Sequence, residues 1–189
     1  PTSSLMDKLS PDQIETVFMQ LSGNTILITG GGSGIGFALA ERFHQAGNQI
    51  LICGRRKEKL EQARMRLPGL HTRVCDVADP NERKDFVKWA TKEFPALNVV
   101  INNSGIQRKL NLSDQEQWQE TQSEIAINLE APIHFSQLFI PHLTRAKNAA
   151  LINVTSGLSF APLAMTPVYS ATKAALHSYT LSLRHQLKE

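Results

Sequence analysis

Five short apolar segments alternate with segments of helical, amphipathic spacing along the 189-residue chain, and this alternation restricts the fold more than any other feature. Strands joined through helices favour right-handed crossovers and a parallel sheet that is covered on both faces. The sequence therefore predicts a single α/β domain with a doubly wound parallel sheet, in the strand order 3-2-1-4-5. We expect strands at 25–29, 49–53, 71–75, 97–102 and 149–155, and helices at 37–46, 57–67, 80–94, 120–143 and 167–188.

Local signals mark several boundaries of these segments. Gly47 follows the first helical segment, as is common at a helix C-terminus. Asp79 is a predicted N-cap with Pro80 at the first helical position. The polar stretch 107–119 is expected to be a loop that contains one short helix beginning at Ser113.

The first residues do not share the alternating pattern. Residues 1–18 are expected to form an N-terminal extension, either native or added for expression, and the domain is expected to span 19–189. The composition of the chain, with 41% hydrophobic and 20% charged residues, is typical of a globular protein. We therefore expect one folded domain and a surface appendage without chemistry.

Charge and cysteine usage limit the expected partners. The net charge is +3, and Lys and Arg are scattered apart from a run at 54–59, so no nucleic-acid partner is predicted. Cys53 and Cys75 lie in apolar segments, which favours buried reduced thiols and a cytoplasmic location, although a disulfide stays open. No apolar run reaches the roughly 18 residues of a membrane span. The six histidines show no zinc-like spacing, so no metal site is predicted.

A glycine-rich turn connects the first predicted strand to the first predicted helix. Glycines allow a tight turn and let the backbone approach a pyrophosphate, which the amides at a helix N-terminus can bind. A flexible surface turn is the alternative, but the strand before it and the helix after it favour a dinucleotide site in a Rossmann-like fold. The predicted binding residues in this turn are Thr29, Gly30, Ser33, Gly34, Ile35 and Gly36.

Tyr169 and Lys173 lie four residues apart in the last predicted helix, so their side chains share one face. The phenol of a free tyrosine titrates near pH ~10, and a nearby ammonium favours the phenolate, which makes such a tyrosine a candidate acid–base group. Packing with an extended lysine is the alternative interpretation of this pair. The dinucleotide turn favours the chemical interpretation, because a hydride carrier needs a partner that moves protons.

Several motifs together resemble the short-chain dehydrogenase/reductase family. They are Thr-Gly-x-x-x-Gly-Ile-Gly at 29–36, Asn-Asn-Ser-Gly at 102–105, Asn128, Ser156 and Tyr-x-x-x-Lys at 169–173. Within that family the chain looks most similar to bacterial DltE-type oxidoreductases, through the segments at 75–79, 154–158 and 171–178. Ser104 departs from the family, which usually has Ala at this position.

The resemblance implies roles for individual side chains. Tyr169 would exchange a proton with the substrate oxygen while hydride moves between the substrate carbon and the nicotinamide. Ser156 would donate a hydrogen bond to that oxygen, and Lys173 would support Tyr169 and hold the nicotinamide ribose. Asn128 would anchor a water that passes protons on from Lys173, although a buried helical Asn often bonds only backbone groups.

The resemblance also implies contacts with the adenosine half of the cofactor. Asn102 and Gly105 would line this half, and Asp76 and Val77 would meet the adenine. Asn103 is also expected to bind the cofactor. The substrate class implied is a small carbonyl or alcohol, and the family implies a homodimer or homotetramer.

The end of the second predicted strand indicates which cofactor is preferred. Family members that use NAD(H) usually carry an acidic residue there, which binds the ribose 2′-hydroxyl. This chain has Arg55 and Arg56 instead, and these two arginines are predicted to contact the 2′-phosphate of NADP(H). A charge-assisted contact is worth about 1.5–3 kcal/mol, so NADP(H) should be favoured about ten- to a hundred-fold over NAD(H). An arginine pair that is only solvated is the alternative.

Relatives continue through further strands and a substrate-covering loop after the last helix, so the resemblance predicts that the C-terminal strands are missing from this sequence. The predicted function is an NADP(H)-dependent oxidoreductase acting on a carbonyl or secondary alcohol, which includes thioester-bound ketoacyl groups. A dinucleotide-binding or scaffold protein without turnover is the alternative.

Overall fold

Five parallel strands form one sheet. The computed structural model describes residues 20–111 and 113–187, and its sheet has the order β3-β2-β1-β4-β5, which confirms the predicted order and fold class. The strands are β1 Thr25–Thr29, β2 Gln49–Gly54, β3 His71–Val74, β4 Leu97–Asn102 and β5 Ala150–Asn153.

Helices connect successive strands and cover the two faces of the sheet. They are α1 Gly34–Gln45, α2 Lys57–Arg66, α3 Pro80–Glu93, α4 Trp118–Ile125, α5 Ala131–Leu143 and α6 Pro167–Gln186. Short 3-10 turns occur at Gln115–Gln117 and Gly157–Ser159.

The observed helix boundaries differ from the predicted ones at three N-termini, one of which is that of α4, which begins at Trp118 instead of residue 120. α1 begins at Gly34, three residues before the expected start. The prediction missed this first turn because its residues show no helical apolar pattern. The short helix in the 107–119 stretch is capped by Asp114, whose carboxylate accepts from the Glu116 amide at 3.0 Å, so the prediction of Ser113 was wrong by one residue. The Asp79 cap is confirmed, since its carboxylate accepts from the Asn81 amide at 2.7 Å.

A π-helical turn interrupts what the sequence predicts as one helix over 120–143. The turn spans Ala126–Glu130 and joins α4 to α5. Pro132 explains why an α-helix cannot continue unchanged here, since proline has no N–H to donate to the carbonyl of Asn128 four residues before it. The wider turn leaves Asn128 completely buried.

Alternate residues of the strands supply two separate apolar cores. Ile26 and Ile28 point to one face, where they pack in a cluster with Phe37 of α1. Leu27 points to the other face and belongs to a cluster with Phe86 of α3 and other residues of α3 and α5. Because both faces are buried, β1 is apolar throughout its interior rather than alternating with polar residues.

Three asparagines join the amino ends of the central strands. The Asn48 side chain accepts from the Asn24 amide at 2.9 Å, and Asn98 donates to the Asn24 side chain at 2.9 Å. Asn98 also accepts from the Thr25 amide at 3.0 Å. These amides satisfy backbone groups at the end of the sheet opposite the glycine-rich turn.

None of the helices within 20–111 and 113–187 is both long and apolar enough to cross a membrane. The predicted extension at 1–18 lies outside the described residues.

Candidate active site

The glycine-rich turn between β1 and α1 is tied to the neighbouring strand β2. The amides of Gly30 and Gly31 donate to the Cys53 carbonyl at 2.8 and 3.2 Å. Gly30 and Gly34 have φ values of +67° and +55°, a conformation that other residues adopt at a cost. A side chain at Gly36 would overlap the Gly30 carbonyl oxygen and the side-chain Nδ2 of Asn103. The turn therefore requires glycine at these positions for steric reasons.

The N-terminus of α1 is open to the solvent side of this turn. Ser33 is the N-cap but makes no side-chain capping bond, and the first turn of the helix carries no acidic residue. The first amides of a helix have no partner inside it and carry the positive end of its dipole. This arrangement suits an anionic group such as a phosphate.

A cleft of about 440 Å³ lies at the carboxyl ends of the strands, beside this helix terminus. Its described lining contains four cationic side chains, Arg55, Arg56, Lys59 and Lys173, and no carboxylate. The cleft is also lined by Ser33, Val77, Ser104, Ile106 and Tyr169. The cleft therefore joins the predicted nucleotide turn to the predicted acid–base pair.

The end of β2 contributes positive charge to the cleft. Arg56 donates from Nη2 to the Ser33 hydroxyl at 3.2 Å, which holds its guanidinium against the glycine-rich turn. In the described part of the chain, the ion pairs are formed by Arg64, Arg66 and Lys92, and neither Arg55 nor Arg56 takes part in one. Both arginines are exposed and have donors to offer a ligand.

Tyr169 and Lys173 lie on the first turns of α6 and reach the cleft together. The Lys173 ammonium lies 5.8 Å from the centre of the Tyr169 ring and donates to the Val154 carbonyl at 2.8 Å. Lys173 is only 3% exposed, and burial lowers the pKa of its ammonium from the usual value. An ammonium has three donors, so two are left for a ligand or for Tyr169 after the bond to Val154.

Ser156 is placed at the start of the 3-10 turn after β5. Its hydroxyl oxygen accepts from the Leu158 amide at 3.1 Å, which fixes the side chain as the cap of that turn. The hydroxyl proton can still be donated to a substrate oxygen. The neighbouring residues Val154 and Thr155 line the cleft, whereas Ser156 itself is beside it.

Asn128 is used as a clamp on the backbone of Ile106. Its carbonyl oxygen accepts from the Ile106 amide at 2.8 Å, and its Nδ2 donates to the Ile106 carbonyl at 2.8 Å and to the Thr172 hydroxyl at 3.3 Å. Ile106 lines the cleft, so Asn128 shapes the cleft without lining it. The predicted role of Asn128 in proton relay stays a prediction.

Other predicted residues hold the loops of the site together. The Thr29 hydroxyl accepts from the amides of Asn103 and Ser104, both at 3.0 Å, and Asn103 donates back to the Thr29 carbonyl at 2.9 Å. Asn102 is buried and donates to the Asn153 side chain at 2.8 Å, away from the cleft lining. The Asp76 carboxylate accepts from the Ala78 amide at 3.0 Å, outside the lining.

The structure brings most of the predicted residues to one cleft. Those that line it are Gly30, Ser33, Gly34, Ile35, Gly36, Arg55, Arg56, Val77, Asn103, Gly105, Tyr169 and Lys173. Within the described ranges, no three His, Cys, Asp or Glu side chains converge in a way that could hold a metal ion.

Two buried charged groups near the site are not predicted by the motifs. Glu124 is fully buried on α4, where its Oε1 accepts from the Arg108 amide at 3.1 Å, and burial raises the pKa of this carboxyl. Arg83 is buried on α3. A signal for Arg83 was available, because it continues the apolar stripe of Phe86, Val87 and Ala90 with a charged residue.

Comparisons with known proteins agree with this geometry. A family model described as short chain dehydrogenase matches residues 24–189. An uncharacterized oxidoreductase DltE of Bacillus subtilis (strain 168) is 50% identical over 172 residues, which is 90% of this chain and 68% of that protein. An uncharacterized oxidoreductase of Staphylococcus aureus (strain USA300) is 32% identical over 169 residues, 88% of this chain and 73% of that protein.

Solved structures share the same fold. A metagenomic short-chain oxidoreductase in complex with NADP superimposes with a TM-score of 0.83 at 26% identity, covering 89% of this chain and 78% of that chain. A putative short chain dehydrogenase from Escherichia coli CFT073 gives a TM-score of 0.82 at 22% identity, covering 90% of this chain and 78% of that chain, and supports the fold alone. The family model and the two oxidoreductases confirm the resemblance that the motifs predict.

Proposed function

The chain belongs to the short chain dehydrogenase family, and on this basis we propose that it is an NADP(H)-dependent oxidoreductase that acts on a carbonyl or secondary alcohol, with Tyr169 as its acid–base group. One observation carries the proposal: Tyr169 and Lys173 line the same cleft as the glycine-rich turn. A proton-transfer group and a nucleotide site are the two parts that such a reaction needs.

The residues at the nucleotide end of the cleft fit NADP(H). The uncapped N-terminus of α1 suits the pyrophosphate, and no atom lies within 4 Å of the place a side chain at Gly34 would occupy, so a ligand can approach the backbone there. Arg55 and Arg56, which follow β2, and Lys59 in the first turn of α2 supply cations where a 2′-phosphate would lie, and no carboxylate of the described lining repels it. When bound, the nicotinamide supplies or accepts the hydride.

The other end of the cleft supplies the proton chemistry. The Tyr169 hydroxyl exchanges a proton with the substrate oxygen, and Ser156 donates its hydroxyl proton to the same oxygen. The buried Lys173 ammonium stabilises negative charge at Tyr169, because attraction between charges is stronger where water is excluded. Its remaining donors can bind the hydroxyls of the nicotinamide ribose.

The position of Asn128 supports a role in passing protons on from Lys173. Gly105 lies between the two side chains, since a side chain added there would lie 3.4 Å from Asn128 Oδ1 and 3.5 Å from Lys173 Nζ. Pro132 has no N–H to donate to the backbone carbonyl of Asn128, and in the proposed role this oxygen accepts from a water molecule.

A turnover assay tests the proposal. Purified protein is mixed with NADPH and a panel of ketones, aldehydes and ketoacyl thioesters, and with NADP⁺ and secondary alcohols, while NADPH absorbance is followed. Turnover of at least one member with NADPH supports the proposal. Tight binding of NADPH without turnover of any member would favour the alternative of a dinucleotide-binding or scaffold protein.

The remaining expectations concern the protein in solution. A homodimer or homotetramer is expected, and light scattering during size-exclusion chromatography measures this directly. A cytoplasmic location with reduced Cys53 and Cys75 is also expected, and thiol titration of protein purified under anaerobic conditions checks the redox state of both cysteines.

A further inference from the structure

Arg83 is a charged residue on the buried face of α3, which it shares with Phe86, Val87 and Ala90. It lies in the first turns of α3 and is only 4% exposed. Burying a guanidinium costs free energy unless its donors find partners, and burial accordingly lowers the pKa of Arg83 from its usual value. An aliphatic residue would satisfy the packing requirement alone, so packing does not explain why a side chain with hydrogen-bond donors is buried at position 83.

Those donors join three parts of the molecule. Nη1 donates to the Val77 carbonyl at 2.7 Å, in the segment that follows β3. Nε donates to Nδ1 of His134 on α5 at 3.0 Å, which places the imidazole proton on Nε2. Burial and the neighbouring Arg83 and Lys84 lower the pKa of His134, which favours the neutral ring that can accept this hydrogen bond.

The segment fixed by Arg83 forms one wall of the cleft. Val77 and Cys75 line the cleft beside the cationic end of β2. The first turn of α3 holds this segment at a second point, because the Glu82 carboxylate accepts from the Asp76 amide at 2.7 Å. The adenosine ribose of a bound dinucleotide would lie at the end of β2. The adenine attached to it would then lie against the adjacent segment after β3.

We propose that Arg83 is a positioning residue for the adenosine half of the nucleotide: it fixes the Val77 backbone against the base, and His134 holds its guanidinium in place. The proposal rests on the proposed function, because it needs a dinucleotide in this cleft. It acts on binding and leaves the chemistry at Tyr169 untouched.

The test separates the two halves of the nucleotide. Dissociation constants are measured for NADPH, for 2′,5′-ADP as the adenosine half, and for reduced nicotinamide mononucleotide as the other half. Arg83→Met keeps an unbranched stem, shorter than that of arginine, and removes all the donors. It should weaken binding of NADPH and of 2′,5′-ADP about ten-fold, which corresponds to about 1.4 kcal/mol. Binding of the mononucleotide and kcat at saturating NADPH should equal those of wild type.

Variants at neighbouring positions provide the controls. Lys84→Met removes the same charge from an exposed position of α3 and should leave all three affinities unchanged. His134→Asn keeps an acceptor at the δ position and should bind 2′,5′-ADP like wild type, whereas His134→Leu should lose part of the affinity. If Arg83→Met does not fold, the same three dissociation constants are measured for Arg83→Lys and His134→Leu.

Two results would overturn the inference and are distinguishable from each other. A folded Arg83→Met protein with wild-type affinity for 2′,5′-ADP would show that Arg83 has a structural role only. Wild-type protein that binds neither NADPH nor 2′,5′-ADP would overturn the proposed function, and the inference with it.

Discussion

Replacing Asn128 by alanine should destabilise the protein substantially, although Asn128 lies in the middle of a helical segment. The side chain is 0% exposed and provides both the acceptor for the Ile106 amide and the donor to the Ile106 carbonyl. Asn128→Ala leaves both backbone groups without these partners. Thr172 loses a weaker contact but keeps its own bond to the Tyr169 carbonyl at 2.8 Å.

The size of the effect follows from those two groups. A buried polar group without a partner costs about 1–3 kcal/mol, and Ile106 is only half-buried, so we expect a loss of about 2–4 kcal/mol from the free energy of unfolding. For a domain of this size that corresponds to a fall in Tm of roughly 5–15 °C. Such a loss is a large fraction of the about 5–15 kcal/mol that stabilises a typical domain.

Urea unfolding and amide hydrogen exchange together measure this prediction. The matched control is Gln122→Ala, an exposed polar residue of the adjoining α4, which should change the free energy of unfolding by less than about 0.5 kcal/mol. The Ile106 amide should be protected from exchange in wild type and unprotected in Asn128→Ala. Equal unfolding midpoints for the two variants, with Ile106 still protected, would refute the clamp.

Three further predictions concern cofactor choice, pH dependence and packing. Replacing Arg55 and Arg56 together by alanine should weaken NADPH about ten- to a hundred-fold with little effect on NADH, and equal losses for both cofactors in a binding titration would contradict the role of the arginines. Because burial raises the pKa of Glu124 above its ordinary 4.5, the folded state holds this proton more tightly than the unfolded chain. The stabilisation from Glu124 is therefore present below that ordinary value and lost as pH rises through the folded pKa, and Glu124→Gln should remove this pH dependence in urea unfolding. Unchanged dependence in the variant would assign it to another group. A side chain at Gly31 would overlap the Ile52 side chain of β2, so Gly31→Ala should lower the free energy of unfolding by about 1–3 kcal/mol. The control Gly32→Ala should fold normally. Similar stabilities for the two variants would contradict this prediction.

The sheet and the position of the site could be predicted because their signals are local. The observed β1 and β4 match the predicted strands residue for residue, since apolar runs of five or six residues bounded by polar or glycine positions are too short for a helix and are typical of buried strands. The turn after β1 could be located from its glycines, because its positive φ values and close backbone contacts require glycine.

The use of individual side chains could not be predicted in the same way. Thr29, Asn102 and Asn128 have donors and acceptors that fit a ligand equally well, and the structure uses them to join loops and strands. These bonds connect residues far apart in the chain, so no local pattern contains them. The π-helical turn is similar, because Pro132 marks a break in the ladder without indicating the form that the break takes.

Arg83 lay outside every motif for a related reason. A charged residue in an apolar stripe is ambiguous until its partners are known, and these come from the segment after β3 and from α5. The helix over 80–94 was predicted, and a charged residue on its apolar face is the kind of signal that a sequence can offer for buried polar residues.

Single-turnover hydride transfer from NADPH, compared between wild type and Tyr169→Phe, tests the proposed activity most directly. Phenylalanine keeps the ring beside Lys173 and removes only the hydroxyl that exchanges the proton. The proposed role predicts unchanged NADPH affinity and a transfer rate lowered by about 10²–10⁴, the usual contribution of a general acid. A Tyr169→Phe protein that transfers hydride at the wild-type rate would contradict it.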